Sequence, residues 1–576
     1  MSVSLFSSLS LGDRTLRAIN VGLAVTGQNI ANATTEGYHR QRVDMRPGQP
    51  TDHVQYQMGT GVEVRRIERV IDFALEQLIL ESRASAGNLE TLRSAYLRLE
   101  SIFNEFSDAD LSAALNNFFC AVEDLSQRPE DGGARAALVS AGAQLADTFR
   151  SLANRITQAR AAVDAGIQTA GDDINRYLEE IADLNRHIMI SEDGGLAESK
   201  ANTLRDRRGA LLERLSELIE VTAHEQSTGS IIVYAGSDVL VYGDNAEKLE
   251  LTTGFEGGIN ITEVRVASTG KSISAYGGKL AGLMEARDEV LGSYLEQVNT
   301  LAKELVGQFN FVHTQGRGTA NYETVSSVIA VTDAEAFLYN AGLDFEVRNG
   351  SFNIYQVSAD GTETRHNIKL DLDRIGGDDT TLNGLANAIN TEFEVTPGSG
   401  DYRIEARVVG GRLEIHSRVP GMEFTFGEDS TGVLAALGIN TFFSGKDAFS
   451  IDINPVVESN PGFVAAAQSS APGDNSNAQM LAGLRYERLM RDGTSTFESY
   501  YEELIGALAA ESATLQDQYA NQQILRDQAL NERDAISGVS IDEETINLVT
   551  YQRMFQATAR YIAIVNDLLN TLISMV

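Results

Sequence analysis

Seven histidines, one cysteine and three punctuated strings are the parts of this chain whose residue types could do chemistry. His39, His53, His187, His224, His313, His366 and His416 are scattered, with no two at the spacing of a zinc site. Gly270-Lys271-Ser272 ends like a phosphate-binding loop, yet Arg265 stands where its first glycine belongs. Asp371 and Asp373 have calcium-loop spacing, but Ile375 and Leu382 fall where oxygen ligands are required. Gly316 and Gly318 start a dinucleotide fingerprint that ends on Asn321, and no GxSxG elbow occurs. Cys120, in LNNFFCAVEDL, has Glu123 and Asp124 as its nearest charges, the opposite of what activates a thiolate. It is expected to be a small buried hydrophobe. No catalytic, cofactor-binding or metal-ligating residue is assigned, so an enzyme is not expected and no cofactor is called for.

Charge removes another class of function. The 576 residues carry 46 Lys+Arg against 81 Asp+Glu, a formal net charge of −35. Binding to a phosphate backbone needs clustered cations, so no nucleic-acid partner is expected. The N-terminal MSVSLFSSLSLGDRTLR lacks a basic region followed by a long apolar run. The most apolar stretch, 561–576, is interrupted by Asn566, Asp567 and Asn570, so no membrane insertion is expected either. A single cysteine rules out an intrachain disulfide. Taken alone, these features place the chain in the cytoplasm.

The elements that must position any site are clearest at the two ends. Leu548, Tyr551, Phe555, Thr558, Ile562, Val565, Leu569, Leu572 and Val576 alternate three and four apart, the a/d seam of a pairing helix. Leu5, Leu9, Gly12, Leu16, Ile19, Leu23, Thr26 and Ile30 repeat the pattern at the other end. A single narrow stripe cannot offset the entropy of ordering such a helix alone. These ends are therefore expected to be disordered in the monomer and to fold by pairing, with one another or with neighbouring chains.

Between them, helical periodicity dominates as far as residue 220. Leu138, Ala141, Leu145, Phe149, Leu152 and Ile156 mark one face, and residues 65–125, 172–190 and 199–220 read similarly. Pro129 with Asp131-Gly132-Gly133, and Asp193-Gly194-Gly195, supply breaks. SIIVYAGSDVLVYG then signals a hairpin, and Val290, Tyr294, Val298, Leu301, Leu305, Phe309 and Val312 a long helix. Residues 323–453 are strand-rich, with hairpins expected at Asn349-Gly350 and Gly410-Gly411 and one short helix in TTLNGLANAINTEF. The fold expected is mainly α with inserted β. It is an elongated helical rod of paired N- and C-terminal helices and a helical bundle, with β-rich domains inserted between the halves. Its parts are a terminal coiled-coil domain (1–45 and 540–576), a helical rod domain (46–220 and 455–539), a β-rich segment plus long helix (221–322) and an inserted β-rich outer domain (323–454).

Three segments resemble the rod, hook and hook-associated axial proteins of the bacterial flagellum. GQNIANATTEGYHRQRV matches that family's N-terminal signature at Asn29, Ala31, Asn32, Thr35, Gly37 and Tyr38. Asn32 is suited to ending a helix, Gly37 to a turn with φ > 0, and Tyr38 to anchoring with a polar tip. Residues 538–573 are similar to the C-terminal signature, with Asp542, Glu543 and Glu544 where negative charge complements a helix N-terminus. Residues 277–316 resemble a helix particular to one hook-associated member, and the β zone resembles the insert of flagellins and hook-associated proteins.

The resemblance implies a structural subunit of the junction between hook and filament, exported unfolded through the flagellar type III channel. It replaces the cytoplasmic expectation with an extracellular one, the chain being cytoplasmic only before export. It implies as partners the hook protein, a second junction protein, copies of the chain in a helical ring, and an export chaperone on the C-terminal helix. The assembly residues expected are Leu5, Leu9, Leu16, Ile19, Leu23 and Ile30 on one end, and Leu548, Tyr551, Phe555, Ile562, Val565, Leu569 and Leu572 on the other. Two alternatives stay open: another axial subunit of hook or distal rod, or a secreted adhesin or hydrolase carried on the inserted β domain.

Overall fold

The computed structural model describes residues 2–35, 37–53, 56–104, 110–193, 200–256, 258–272 and 277–575. The expected class holds: thirteen α-helices among the described residues, interrupted by small antiparallel sheets. The helices are α1 (Ser2–Ala31), α2 (Phe73–Asn104), α3 (Leu111–Gln127), α4 (Gly132–Ser191), α5 (Asn202–Leu218), α6 (Gly278–Glu285) and α7 (Leu291–His313). They continue as α8 (Leu382–Glu392), α9 (Val433–Leu437), α10 (Pro455–Ser459), α11 (Ser476–Gly483), α12 (Phe497–Ser537) and α13 (Ile541–Ser574). By their contacts the residues divide into two units. One comprises Met1–Ala95, Arg160–Glu289 and Ser512–Val576, the other Tyr96–Ala159 and Val290–Glu511.

In the first unit, Ile167, Ile174, Leu178 and Ile181 of α4 pack on Leu211, Leu212 and Leu215 of α5. Val233, Leu240 and Val241 close this core from a four-stranded sheet of Thr222–Glu225, Ile231–Ala235, Asp238–Tyr242 and Asn245–Ala246. The buried Arg287, on the π-helical turn Ala286–Val290, pairs with Asp164 at 2.6 Å and donates to Thr262 O at 2.9 Å. A hairpin of Gln41–Pro47 and Val62–Arg69 packs on α1. Residues 65–69 thus lie in a strand, where the sequence reads as the beginning of a helix. The alternation Val62, Val64 is carried through by pairing with Gln41–Pro47.

The second unit has an aromatic core in which Phe118 lies 5.0 Å from Phe309 and 5.4 Å from Phe443, ring centre to ring centre. Asp110 caps α3 by accepting from Ala113 N. Its β region holds two three-stranded sheets, Glu363–Leu370, Gly350–Val357, Glu423–Gly427 and Thr324–Ser326, Arg412–Ser417, Ile404–Val409. The turn at Gly410-Gly411 joins the last two strands named, and Thr381 caps α8 within TTLNGLANAINTEF. Asn349-Gly350 is not a hairpin turn. Gly350 opens a strand whose partner is Glu363–Leu370, in an unbroken eight-residue register, and Asn349 Oδ1 instead accepts from Leu372 N. Val347, just before it, is buried in the core of the region.

Two further expectations change. The helical stretches at 138–156 and 172–190 are one continuous helix, α4, of 60 residues or roughly 90 Å. Cys120 is exposed on α3, because the buried face is set by Leu115, Phe118, Phe119, Val122 and Leu125. The break expected at Asp193-Gly194-Gly195 lies partly outside the described residues, as does Val576.

Candidate functional site

α1 and α13 pack against each other in antiparallel fashion, Gly12 beside Ile562 and Gly22 beside Tyr551. At both glycines the side chains of α13 lie directly on the bare backbone of α1. A Cβ at Gly12 would sit 2.5 Å from Ile562 Cγ1, and one at Gly22 2.7 Å from Tyr551 Cζ. The most buried residues of α1 are accordingly small or β-branched: Gly12, Ala18, Ile19, Gly22, Val25, Thr26 and Asn29. Leu5, Leu9, Leu16, Leu23 and Ile30 are half-buried along the flanks. On α13, Val565 and Leu569 are buried, Leu548, Tyr551, Thr558, Ile562 and Leu572 are half-buried, and Phe555 is exposed.

The helix pair meets the rest of its unit through the segment after α1. Asn32 follows the last helical residue and its side chain bonds Gln28 O, Thr35 N donates to Asn32 O, and Gly37 has φ +73°. Ala31 and Thr35 are exposed there. Asn29, 1% exposed, is the pivot. Its amide accepts from Gln41 N at 3.0 Å, donates to Gln41 O at 2.9 Å and accepts from the Tyr38 hydroxyl at 2.8 Å. An asparagine can satisfy both backbone groups of one residue at once because it carries a donor and an acceptor on one planar group. Burial, with the nearby charges of Asp206 and Glu544, pushes the Tyr38 hydroxyl up to about 12.

The next two residues carry charge. His39, 6% exposed, places Nδ1 3.1 Å from Asp206 Oδ1 on α5 and Nε2 3.2 Å from Glu76 Oε1 on α2. Burial opposes its charge, but the two carboxylate hydrogen bonds outweigh it and lift the imidazole to about 9. Arg40 reaches α13, donating to Glu543 at 2.7 Å and Glu544 at 2.8 Å, while its backbone N–H bonds Ser537 O of α12 at 2.9 Å. The acidic start of α13, capped by Ser540, is thus held by a cation as well as by the helix dipole.

Two family profiles match this chain: "Flagellar hook-associated protein FlgK helical domain" over residues 96–324, and "Flagellar basal body rod FlgEFG protein C-terminal" over residues 533–575. Flagellar hook-associated protein 1 of Bacillus subtilis (strain 168) is 25% identical over 580 residues, covering 99% of this chain and 98% of the relative. The protein of the same name from Escherichia coli (strain K12) is 26% identical over 573 residues, covering 97% and 98%. Along nearly its whole length the chain is thus similar to flagellar hook-associated protein 1. A solved structure, the flagellar hook junction protein FlgK from Burkholderia pseudomallei, shares the fold at TM-score 0.51 and 16% identity, covering 80% of this chain and all of that one.

The features that resemble enzyme motifs lie partly in packing contacts and partly in exposed turns. Gly316 and Gly318 lie against Asn477 and Gly462, and Gly270 is a turn with φ +66°. Asp371 and Asp373 are exposed beside the buried Asp379, whose carboxylate is taken by Tyr339 and Arg374 N. His313 is fully buried between Asn440 O and Ala465 N. The segment from Asn29 to Gln41 therefore organises a junction of elements, and His39 and Arg40, which scattered histidines and a generic charge run conceal in the sequence, carry its ionic contacts. Only their adjacency to Tyr38 in the signature could have pointed to them.

Proposed function

We propose that this chain is a structural subunit of the bacterial flagellum that forms the junction between hook and filament. The observation that carries the reading is that α13 is apolar on two faces. One face lies on α1; on another, Ile546, Ile564 and Leu568 are 66%, 60% and 53% exposed. They stand five turns and then about one turn apart, so they share one outward stripe, in which Arg553 and Arg560 fall between Ile546 and Ile564. A helix that has already paired and still exposes such a stripe suits packing among the axial helices of neighbouring subunits. Among the described residues no helix is long and apolar enough to cross a membrane.

On this reading the partners are the hook protein, the second junction protein and further copies of the chain in an open helical lattice. The residues that pair the ends are the seam on α1 and α13. Export through the type III channel precedes assembly, and a chaperone covers the stripe of α13 until then. The test is complementation of cells lacking the protein with Ile564→Asp/Leu568→Asp, compared with deletion of residues 542–576. Both proteins are expected to be exported and folded but to leave hooks without filaments. Filaments of normal length on the double-substitution cells would sink the reading.

A further inference from the structure

Four consecutive residues, 38–41, between them reach α1, α2, α5, α12 and α13 in the first unit. Tyr38 and Gln41 hold Asn29 of α1, His39 bridges Glu76 of α2 and Asp206 of α5, and Arg40 grips the start of α13 and the end of α12. We infer that residues 38–41 are a proton-operated latch, in which the charged His39 imidazole clamps the paired terminal helices to α2 and α5 and its neutral form releases them. The inference stands apart from the junction reading, since it concerns the chain by itself.

The geometry sets the logic. An imidazolium has two N–H donors, one for each carboxylate; neutral imidazole has one donor, and its bare nitrogen then faces a carboxylate oxygen. The loss falls on a site with no slack, because Asp206 Oδ2 is buried without a hydrogen-bond partner. Arg69, from the strand Val62–Arg69, bonds the same Asp206 Oδ1 at 3.1 Å, so one oxygen serves two cations.

The remaining charged groups around His39 leave it as the switching element. Arg205 and Arg208 of α5 share its cavity with Glu225 and His224 of the strand Thr222–Glu225. Both arginines are bonded to Glu225 rather than to the latch. Arg208 is pushed down to about 10 by burial, above the His39 value. Glu213 of α5 is held by Arg83 and by Arg533 of α12. Asp534 of α12 lines the other side of the segment with Glu543, and the Tyr38 hydroxyl keeps its proton up to about 12. A group whose pKa is raised on folding contributes stability below its unfolded value that is lost as pH rises through the folded one. Release is therefore expected on the alkaline side, centred near pH 9.

The full chain contains no tryptophan, so Phe555→Trp supplies a single fluorescent reporter on α13, and Tyr234→Trp, made separately, one in the sheet. Emission from the half-exposed indole at position 555 is expected to change in intensity with a midpoint near pH 9, while that from position 234 stays constant. With His39→Gln added, the reporter on α13 is expected to show no transition between about pH 7.5 and 10. An unchanged transition in His39→Gln, or none with His39 present, overturns the latch. Histidine-labelled NMR of the unaltered chain is an independent test: one of the seven imidazoles must titrate near 9, and titration of all of them below about 7.5 overturns it too.

Discussion

Gly22 of α1 faces the ring of Tyr551 on α13, with no room between them for a single carbon. A Gly22→Leu substitution must push the helices apart, at roughly 1–3 kcal/mol for overpacking. The expected result is protease sensitivity of residues 2–31 and 541–574 and loss of filament attachment, with the second unit unaffected. Limited proteolysis read by mass spectrometry distinguishes this from a general loss of fold.

Asn29→Ala leaves Gln41 N–H and C=O and the Tyr38 hydroxyl without their shared partner in a buried site. A cost of about 2–4 kcal/mol is expected. Asn29→Asp retains the acceptor for Gln41 N–H and Tyr38 but loses the donor to Gln41 O, so it should fall between. Hydrogen exchange of the backbone amides of α1 and of Gln41–Pro47 measures the order, and equal protection in all three proteins would contradict it.

Acid should act on the second unit through His313. Burial, with the Asn440 hydrogen bond opposing and the Arg135 charge assisting, holds its imidazole down at about 4. Nδ1–H donates to Asn440 O at 2.8 Å and Nε2 accepts from Ala465 N at 2.9 Å, so the neutral ring fills both roles. Because the folded value lies below the unfolded one of about 6.5, the unfolded state takes up the proton first. Stability present above about pH 6.5 is lost as pH falls toward 4, by roughly 3 kcal/mol. Urea unfolding at about pH 7 and pH 4.5 should show that slope, and His313→Phe should flatten it while lowering stability at the higher pH.

Cys120 should react in the native state. It is exposed, with its thiol 3.8 Å from the Arg485 guanidinium and 3.7 Å from Asn116 Oδ1. One equivalent of a maleimide is expected to add without denaturant, counted by intact mass; labelling only after unfolding would contradict the placement.

How much the sequence reveals depends on how local the cause is. The hairpin at Gly410-Gly411 and the cap of α8 at Thr381 rest on neighbouring residues, and both are legible. Asn349-Gly350 carries the same signal, but the strand beginning at Glu363 takes the register instead. The heptads of α1 point to its leucines, whereas the closest contact is made by glycines that hydropathy ignores. His39 reads as one scattered histidine because Glu76 and Asp206 are distant in the chain, and only folding sets them at its two nitrogens. Cys120 reads as buried because FFC is apolar throughout, yet two phenylalanines outweigh a thiol in choosing which side is inward.

The antiparallel contact of α1 with α13 also sets a timetable. Its two strips lie more than five hundred residues apart, and loop closure over such a span grows only logarithmically in cost. The delay is of another kind. Wherever this chain emerges end first, whether from a ribosome or from a narrow conduit, one strip must wait uncovered until nearly everything between them has followed. The polypeptide is thus obliged to complete itself last at the place where its two extremities meet.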